Sequence, residues 1–205
     1  VWASDCNDAL ERTTIQHWTG MVVPPELVGS HIGPRISHTT ARTHDLSFRA
    51  ITAMFGHFGM EWDIREAVGT EREELRLAIT LYKQYRELIH AGIRVRSDHP
   101  DPSITLHGVV SSDRRTGLFA LTAVSTSFSE QPGRIAIPGL DPELNYAVKL
   151  VYPVGQVQGD TLIERTAPAW LAGGAIASGR FLGVVGLPMP VLNPEHSLLL
   201  SIEQE

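Results

Sequence analysis

Gly56-His57-Phe58-Gly59-Met60-Glu61-Trp62-Asp63-Ile64 is the stretch that decides how the first half of the chain folds. Phe58, Met60 and Trp62 recur with a period of two, which predicts a short strand. Its flanks are helical. Residues 46–55 read as a helix with Ser47 near its start. On the other side Thr70 opens a longer helix, with Glu73 three residues on as a capping box. Its apolar stripe is Leu75, Ile79, Leu81, Tyr82, Tyr85, Leu88 and Ile89, and Gly92 ends it. Further back, residues 29–43 form a long loop rich in Gly, Ser, Thr and His. Met21-Val22-Val23 is a short strand stopped by Pro24-Pro25, and residues 5–18 read as a helix that Asp5 can cap. Helix, strand, helix, strand, helix is the rhythm of a parallel βα array. Two strands with three helices cannot make a closed sheet core. The expectation for residues 1–92 is therefore the end of a (β/α)8 barrel, with the earlier units elsewhere.

Beyond Gly92 the character changes to short apolar runs spaced by turn signals. These are residues 104–110, 118–124, 134–137, 146–152, 161–165, 175–177 and 197–202. Pro100, Pro102, Pro132-Gly133, Pro142, Gly155 and the segment from Pro188 to Pro194 punctuate them. Residues 93–205 are predicted to be an all-β domain, an antiparallel β-sandwich. The fold class is thus α/β followed by all-β. The cluster Arg94, Arg96, Asp98, His99 and Asp101 reads as a solvated domain boundary, with salt bridges worth little each.

The chain has 205 residues, 42% of them hydrophobic and 20% charged, which suits a globular protein with a substantial core. A net charge of −6 argues against a nucleic-acid or anionic-membrane surface. No run is apolar enough to span a bilayer, and no signal-peptide pattern is present. The single Cys6 excludes an internal disulfide, and a cytoplasmic location is expected.

The first eight residues, Val1-Trp2-Ala3-Ser4-Asp5-Cys6-Asn7-Asp8, hold the densest chemistry. Two carboxylates sit three apart, after a tryptophan and before a helix. Helix capping explains them without any reaction, because Asp satisfies the orphan N–H groups and the dipole there. From spacing, capping is the favoured reading; the functional one is a carboxyl at the end of a barrel strand, where catalytic groups gather, and the two can coexist. The two readings pull the pKa in opposite directions: the helix terminus favours the carboxylate, whereas a general acid must hold its proton. His17, His31, His38, His44 and His57 fit no metal-binding spacing, so no metal site is expected. Gly29-Ser30-His31-Ile32-Gly33 lacks the order of a phosphate-binding turn and reads as a loop at a barrel mouth, with His31 facing the site or the barrel wall. Ser4 has no nucleophile elbow, and Cys6 has no assignable His partner.

Residues 2–12 and Ile15-Gln16 resemble the WxSDxxDxxxRxxIQ signature of family 36 glycoside hydrolases, the melibiase-type α-galactosidases. Gly29-Ser30-His31-Ile32 is similar to that family's G-[AS]-H-[VI] segment. Phe48-Arg49-Ala50 through Asp63 resembles its FRA…MFGxFGxExD segment. Ser178-Gly179 and residues 186–190 resemble its closing β domain. The resemblance implies an N-terminal β-sandwich, a central (β/α)8 barrel and a C-terminal antiparallel β domain. It implies retaining hydrolysis of terminal α-1,6-linked galactose, as in melibiose and raffinose, with no cofactor. Asp5 would be the general acid/base, Asp8 a supporting and substrate-side residue, and Trp2 a border of the site.

One departure limits the expected activity. The family's nucleophile lies in a KWDxN motif, and no Lys-Trp-Asp occurs in this sequence. Retaining chemistry needs two carboxyl groups about 5–5.5 Å apart. The chain alone is therefore expected to be inactive, as if cut through an active site. Its expected partners are a galactoside, a second copy of the chain, and a missing N-terminal portion that would cover the open strand flanks. The competing expectation is a non-catalytic β-sandwich module for carbohydrate binding or subunit contact, signalled by exposed aromatics among Phe119, Phe128, Tyr146, Tyr152, Trp170 and Phe181.

Overall fold

Helix α1 spans Ala9–Thr19, and Asp8 starts it. Asp8 holds an extended backbone, and its carboxylate accepts from the Glu11 N–H at 3.0 Å. This corrects the expected cap at Asp5. Residues 4–6 are held in a turn of their own, in which Ser4 Oγ accepts from the Cys6 N–H at 3.1 Å, so the helix cannot begin until Asp8. The computed structural model describes residues 1–154 and 167–205. They form two compact units, Val1–His90 and Ala91–Glu205.

In the first unit, residues 21–23 are not a strand. The N–H groups of Val22 and Val23 both turn back to the Thr19 carbonyl, which leaves them unavailable for a ladder. The strand forms later, at β1 (Gly29–Ile32), inside the segment expected to be a loop. It pairs in parallel with β2 (His57–Met60), in the register Gly29 to His57 and Ile32 to Met60. Between them α2 (Leu46–Ala53) is buried at every position, including Ser47, Arg49 and Thr52. Helix α3 (Thr70–Ala91) buries Leu75, Ala78, Leu81, Tyr82 and Ile89, the helical spacing of one face.

Helices α1 and α3 touch the face of the strand pair that carries Ser30 and Phe58. Gln16 of α1 donates to Ser30 Oγ at 2.9 Å, and Tyr82 of α3 stacks on Phe58 at 4.9 Å. Ser30 pairs with Phe58, so both point the same way. The opposite face carries Gly29 and His31 on β1 and His57 and Gly59 on β2, with the His57 ring 4.6 Å from that of His90 on α3.

The second unit is built on a six-stranded antiparallel sheet in the order β3-β4-β5-β10-β7-β8. Its strands are β3 (Ile93–Ser97), β4 (Ile104–Val110), β5 (Thr116–Ala123), β7 (Asn145–Tyr152), β8 (Ala175–Ser178) and β10 (His196–Gln204). Strands β6 (Arg134–Ile135) and β9 (Leu187–Pro188) make a separate two-stranded sheet. Ile135 and Leu187 of that small sheet join Leu106, Phe119, Leu121, Tyr146, Val148, Leu198, Leu200 and Ile202 of the large one in a single core. Burying side chains of this size stabilises by about 1.5–3 kcal/mol each before entropy is counted.

The all-β expectation needs two corrections. Short helices α4 (Trp170–Gly173) and α5 (Gly179–Val184) interrupt the strands. Ser178 caps α5 by accepting from the Phe181 N–H at 3.2 Å, and Gly186 closes it at φ +72°, donating to the Phe181 carbonyl at 2.9 Å. Arg94 and Arg96 open the second unit on its edge strand β3, Arg96 exposed and Arg94 half-buried, next to the boundary between the units. Asp101, by contrast, is 2% exposed and locked by hydroxyls, so it is not solvated. The expected strand at residues 161–165 lies outside the described residues.

Of the six aromatics named for a binding face, Phe119, Tyr146, Tyr152 and Trp170 are buried, while Phe128 and Phe181 are exposed.

Candidate active site

Three parallel segments of the first unit end on one side. Trp2 bridges in parallel to Gly29, whose N–H donates to the Val1 carbonyl at 2.9 Å. β1 follows, then β2, whose exit is tied by the Glu61 N–H to the Ile32 carbonyl at 2.9 Å. Residues just past three strand ends therefore gather at one edge: the Ser4–Cys6 turn, Gly33 and Glu61. Gly33 has to be glycine there, because a Cβ would come within 2.8 Å of the Asn7 carbonyl oxygen.

Asp5 sits at the tip of the first turn. It is exposed, and its carboxylate makes no hydrogen bond or ion pair among the described residues. Its backbone is held on both sides. Arg12 Nη1 donates to the Ser4 carbonyl at 3.2 Å and to the Cys6 carbonyl at 2.7 Å. Arg12 is itself buried, and its Nε has no partner. Burial lowers the Arg12 pKa, opposed by the charges of Glu61 and Cys6.

Trp2 is half exposed, with its ring 4.3 Å from that of His31 and tilted by 34°. His31 lies on the strand face opposite Ser30 and Phe58, directly over Gly59. A Cβ on Gly59 would come within 2.5 Å of the imidazole Cδ2. Burial and the nearby Arg12 lower the His31 pKa, with Glu61 opposing, so the ring is neutral at pH 7. Its Nδ1 is buried without a hydrogen bond.

Asp8 is placed differently from Asp5. It is fully buried, and its oxygens accept from the Glu11 N–H, the Thr40 hydroxyl and Arg42 Nη1 at 3.2 Å. Burial raises its pKa. The hydrogen bonds from Thr40 and Glu11, with the charges of His44 and Arg42, outweigh that and hold it below the usual value. Asp8 thus pins the loop of residues 33–45 to the start of α1, and in this structure it offers no surface to a ligand. Asn7 pins the same loop through His38 at 2.6 Å and Ser37 at 2.9 Å. From the far side, Arg49 holds the Gly33 carbonyl at 2.8 Å and the His44 carbonyl at 3.1 Å, pairs with Glu71 at 2.5 Å and lies 4.5 Å over the Trp62 ring.

The structure therefore places Trp2 against His31, Asp5 on the turn that follows Trp2, and Asp8 buried at the start of α1. Arg12 and Glu61 belong to the same cluster, although sequence reasoning gave them no role. Their only signal was membership of the quoted motifs, since burial of an arginine cannot be read from spacing. Among the described residues no three His, Cys, Asp or Glu side chains converge as metal donors. A free carboxyl on a fixed backbone can transfer a proton to a ligand that reaches it.

Comparison with known proteins bears on whose site this is. The melibiase family profile matches residues 1–92. An α-galactosidase of Escherichia coli is 42% identical over 205 residues, 99% of this chain and 29% of that protein. The first 92 residues of this chain belong to the melibiase family. The α-galactosidase AgaA of Geobacillus stearothermophilus is 30% identical over 164 residues, 80% of this chain and 22% of its own. The chain thus spans under a third of these curated relatives. Among solved structures, the galactosidase domain of the α-galactosidase–sucrose kinase AgaSK superposes with TM-score 0.82 at 24% identity, covering 98% of this chain and 25% of that one. AgaA with raffinose gives TM-score 0.78 at 23% identity over 97% of this chain and 25% of its own. These likenesses show a shared mixed α/β fold with an antiparallel sheet.

Proposed function

We propose that this chain carries the general acid/base of a retaining α-galactosidase acting on terminal α-1,6-linked galactosides, and that its residues 1–92 are the end of the (β/α)8 catalytic barrel. Residues 93–205 are the closing β-sandwich, the two-stranded sheet being its smaller layer. The observation that carries the reading is Asp5: a carboxyl at the end of a parallel strand segment, with its backbone held on both sides and its oxygens free. Helices against Ser30 and Phe58 on one strand face, with His31, His57 and two glycines on the other, suit a barrel wall whose inner side meets further strands. The AgaA relative in complex with raffinose supports the substrate class.

In the first step Asp5 donates its proton to the glycosidic oxygen as that oxygen leaves C1. A nucleophilic carboxylate attacks the same carbon and forms a galactosyl ester. In the second step Asp5 removes a proton from water, which attacks C1 and releases galactose with retained configuration. The nucleophile is not in this sequence, so the chain by itself is inactive and depends on the remaining portion of the enzyme. Trp2 borders the sugar, and Asp8 supports the acid by fixing the loop beneath it. A second copy of the chain is the proposed oligomeric partner, in the cytoplasm.

The test joins the chain to the upstream segment of an α-galactosidase and compares Asp5→Asn with the parent. The expected loss in kcat/KM is about 100-fold or more on raffinose, following the size of acid–base effects. Little change is expected on an aryl galactoside with an activated leaving group. Equal loss on both substrates sinks the assignment of Asp5, and robust turnover by the chain alone sinks the claim of a divided site.

A further inference from the structure

Building on the reading of Asp5 as acid/base, we propose that Arg12 is its positioning residue, fixing the turn that presents the carboxyl without touching the carboxyl itself. The two carbonyls that Arg12 Nη1 holds, at 3.2 and 2.7 Å, belong to Ser4 and Cys6, the residues on either side of Asp5. The Ser4 hydroxyl closes the same turn from within by accepting from the Cys6 N–H at 3.1 Å. The backbone of Asp5 is thus tied at both neighbours, whereas its side chain is exposed and engaged with nothing among the described residues. Those ties leave the side-chain torsions of Asp5 as its main freedom, which is what an acid needs if it is to meet a glycosidic oxygen at a set height.

The cost of the arrangement points the same way. Arg12 is 2% exposed and forms no ion pair among the described residues; Glu61 acts on it only at longer range. A buried cation without a contacting counter-ion is expensive, and an apolar side chain of the same length would fill the space at lower cost. Helix α1 does not need the guanidinium, because Asp8 already caps it. What the guanidinium supplies that a methionine would not is the hold on the two carbonyls.

The experiment uses the chain joined to the upstream segment, with Arg12→Met as the main variant. A displacement of about 1 Å at a reacting group can cost on the order of 100-fold, so a loss of that order is expected in kcat/KM on raffinose. On an activated aryl galactoside kcat/KM stays near the parent value, because that leaving group needs no proton. Added azide, attacking the galactosyl ester in place of base-activated water, speeds aryl turnover in the variant and not in the parent. Arg12→Lys, which keeps a donor near both carbonyls, recovers part of the raffinose activity, and Ser4→Ala shows a smaller loss of the same kind. Equal losses on both substrates without azide rescue overturn the positioning role. If Arg12→Met does not fold, the same substrate comparison on Arg12→Lys and Ser4→Ala decides. Asp5→Asn on the same substrates keeps the two claims apart: a leaving-group split there, with none at Arg12, leaves the acid/base reading intact and removes only the positioning residue.

Discussion

The Trp2 ring lies 4.3 Å from the His31 ring, and His31 in turn rests on the bare backbone of Gly59 in the next strand. The three form a stack across parallel neighbours in which the glycine makes room for the imidazole and the imidazole sets the height of the indole. Gly59→Ala therefore displaces His31. We expect a destabilisation of about 1–3 kcal/mol, the usual range for added volume in a packed site, read as a lower urea midpoint. His31→Ala combined with Gly59→Ala recovers most of it. If the double variant is no more stable than Gly59→Ala alone, the clash is not with the imidazole.

Asp8→Ala removes the acceptor for the Glu11 N–H, Thr40 and Arg42 at once. Leaving buried donors unmatched costs about 1–3 kcal/mol, and we expect proteolysis to begin within residues 33–45 before the rest of the unit is cut. Because the folded pKa of Asp8 lies below its ordinary value, its stabilisation is complete above that value and fades as pH falls through the folded one. Parent and Asp8→Asn stabilities should therefore converge in acid. A gap that persists there would mean the charge is not what holds the loop.

Arg49 is a buried cation with four engagements: two carbonyls, Glu71 and the Trp62 face. Arg49→Met leaves Glu71 without its partner and frees the loop, with an expected cost of about 3–5 kcal/mol. Arg49→Lys does not restore it, since an ammonium cannot reproduce the planar fork. Thermal unfolding monitored by tryptophan fluorescence reads both. Full rescue by lysine would reduce the site to simple charge.

Asp101 in the second unit is buried, which opposes ionisation. Hydrogen bonds from the hydroxyls of Ser103 and Ser127 and from the N–H groups of Ser103 and Phe128 nonetheless hold its pKa at about 2. The stabilisation is fully present above the ordinary aspartate pKa of about 3.9 and is lost as pH falls from there toward 2. Urea midpoints of the parent and Asp101→Asn should differ at pH 6 and meet near pH 2. A constant difference across that window contradicts the ionised network.

Periodic elements were legible in the sequence wherever packing agreed with pattern. Helix α3, predicted from the stripe between Leu75 and Ile89, ends at Ala91, one residue before Gly92, and the run at residues 104–110 is β4 residue for residue. The misses have local causes. Val22 and Val23 have strand propensity, but their N–H groups are claimed by Thr19. Gly29-Ser30-His31-Ile32 has loop composition, yet neighbouring parallel segments pair with it on both sides. At the site, two aspartates three apart gave no hint of which one caps. The answer depended on a Ser4 turn and a buried Arg12, both tertiary facts. Asp101 suggested solvent because charge is usually read that way, while the hydroxyls of Ser103 and Ser127 satisfy it in the interior.

β5 and β7 never bond to each other; each bonds to β10, which enters between them. A ribosome making this protein delivers both outer strands long before the segment that unites them. During that interval β5 and β7 have exposed inner edges and nothing to pair with except other nascent chains. The yield of soluble protein should thus depend on how quickly β10 follows them, and on chaperones that shield two waiting edges until it does.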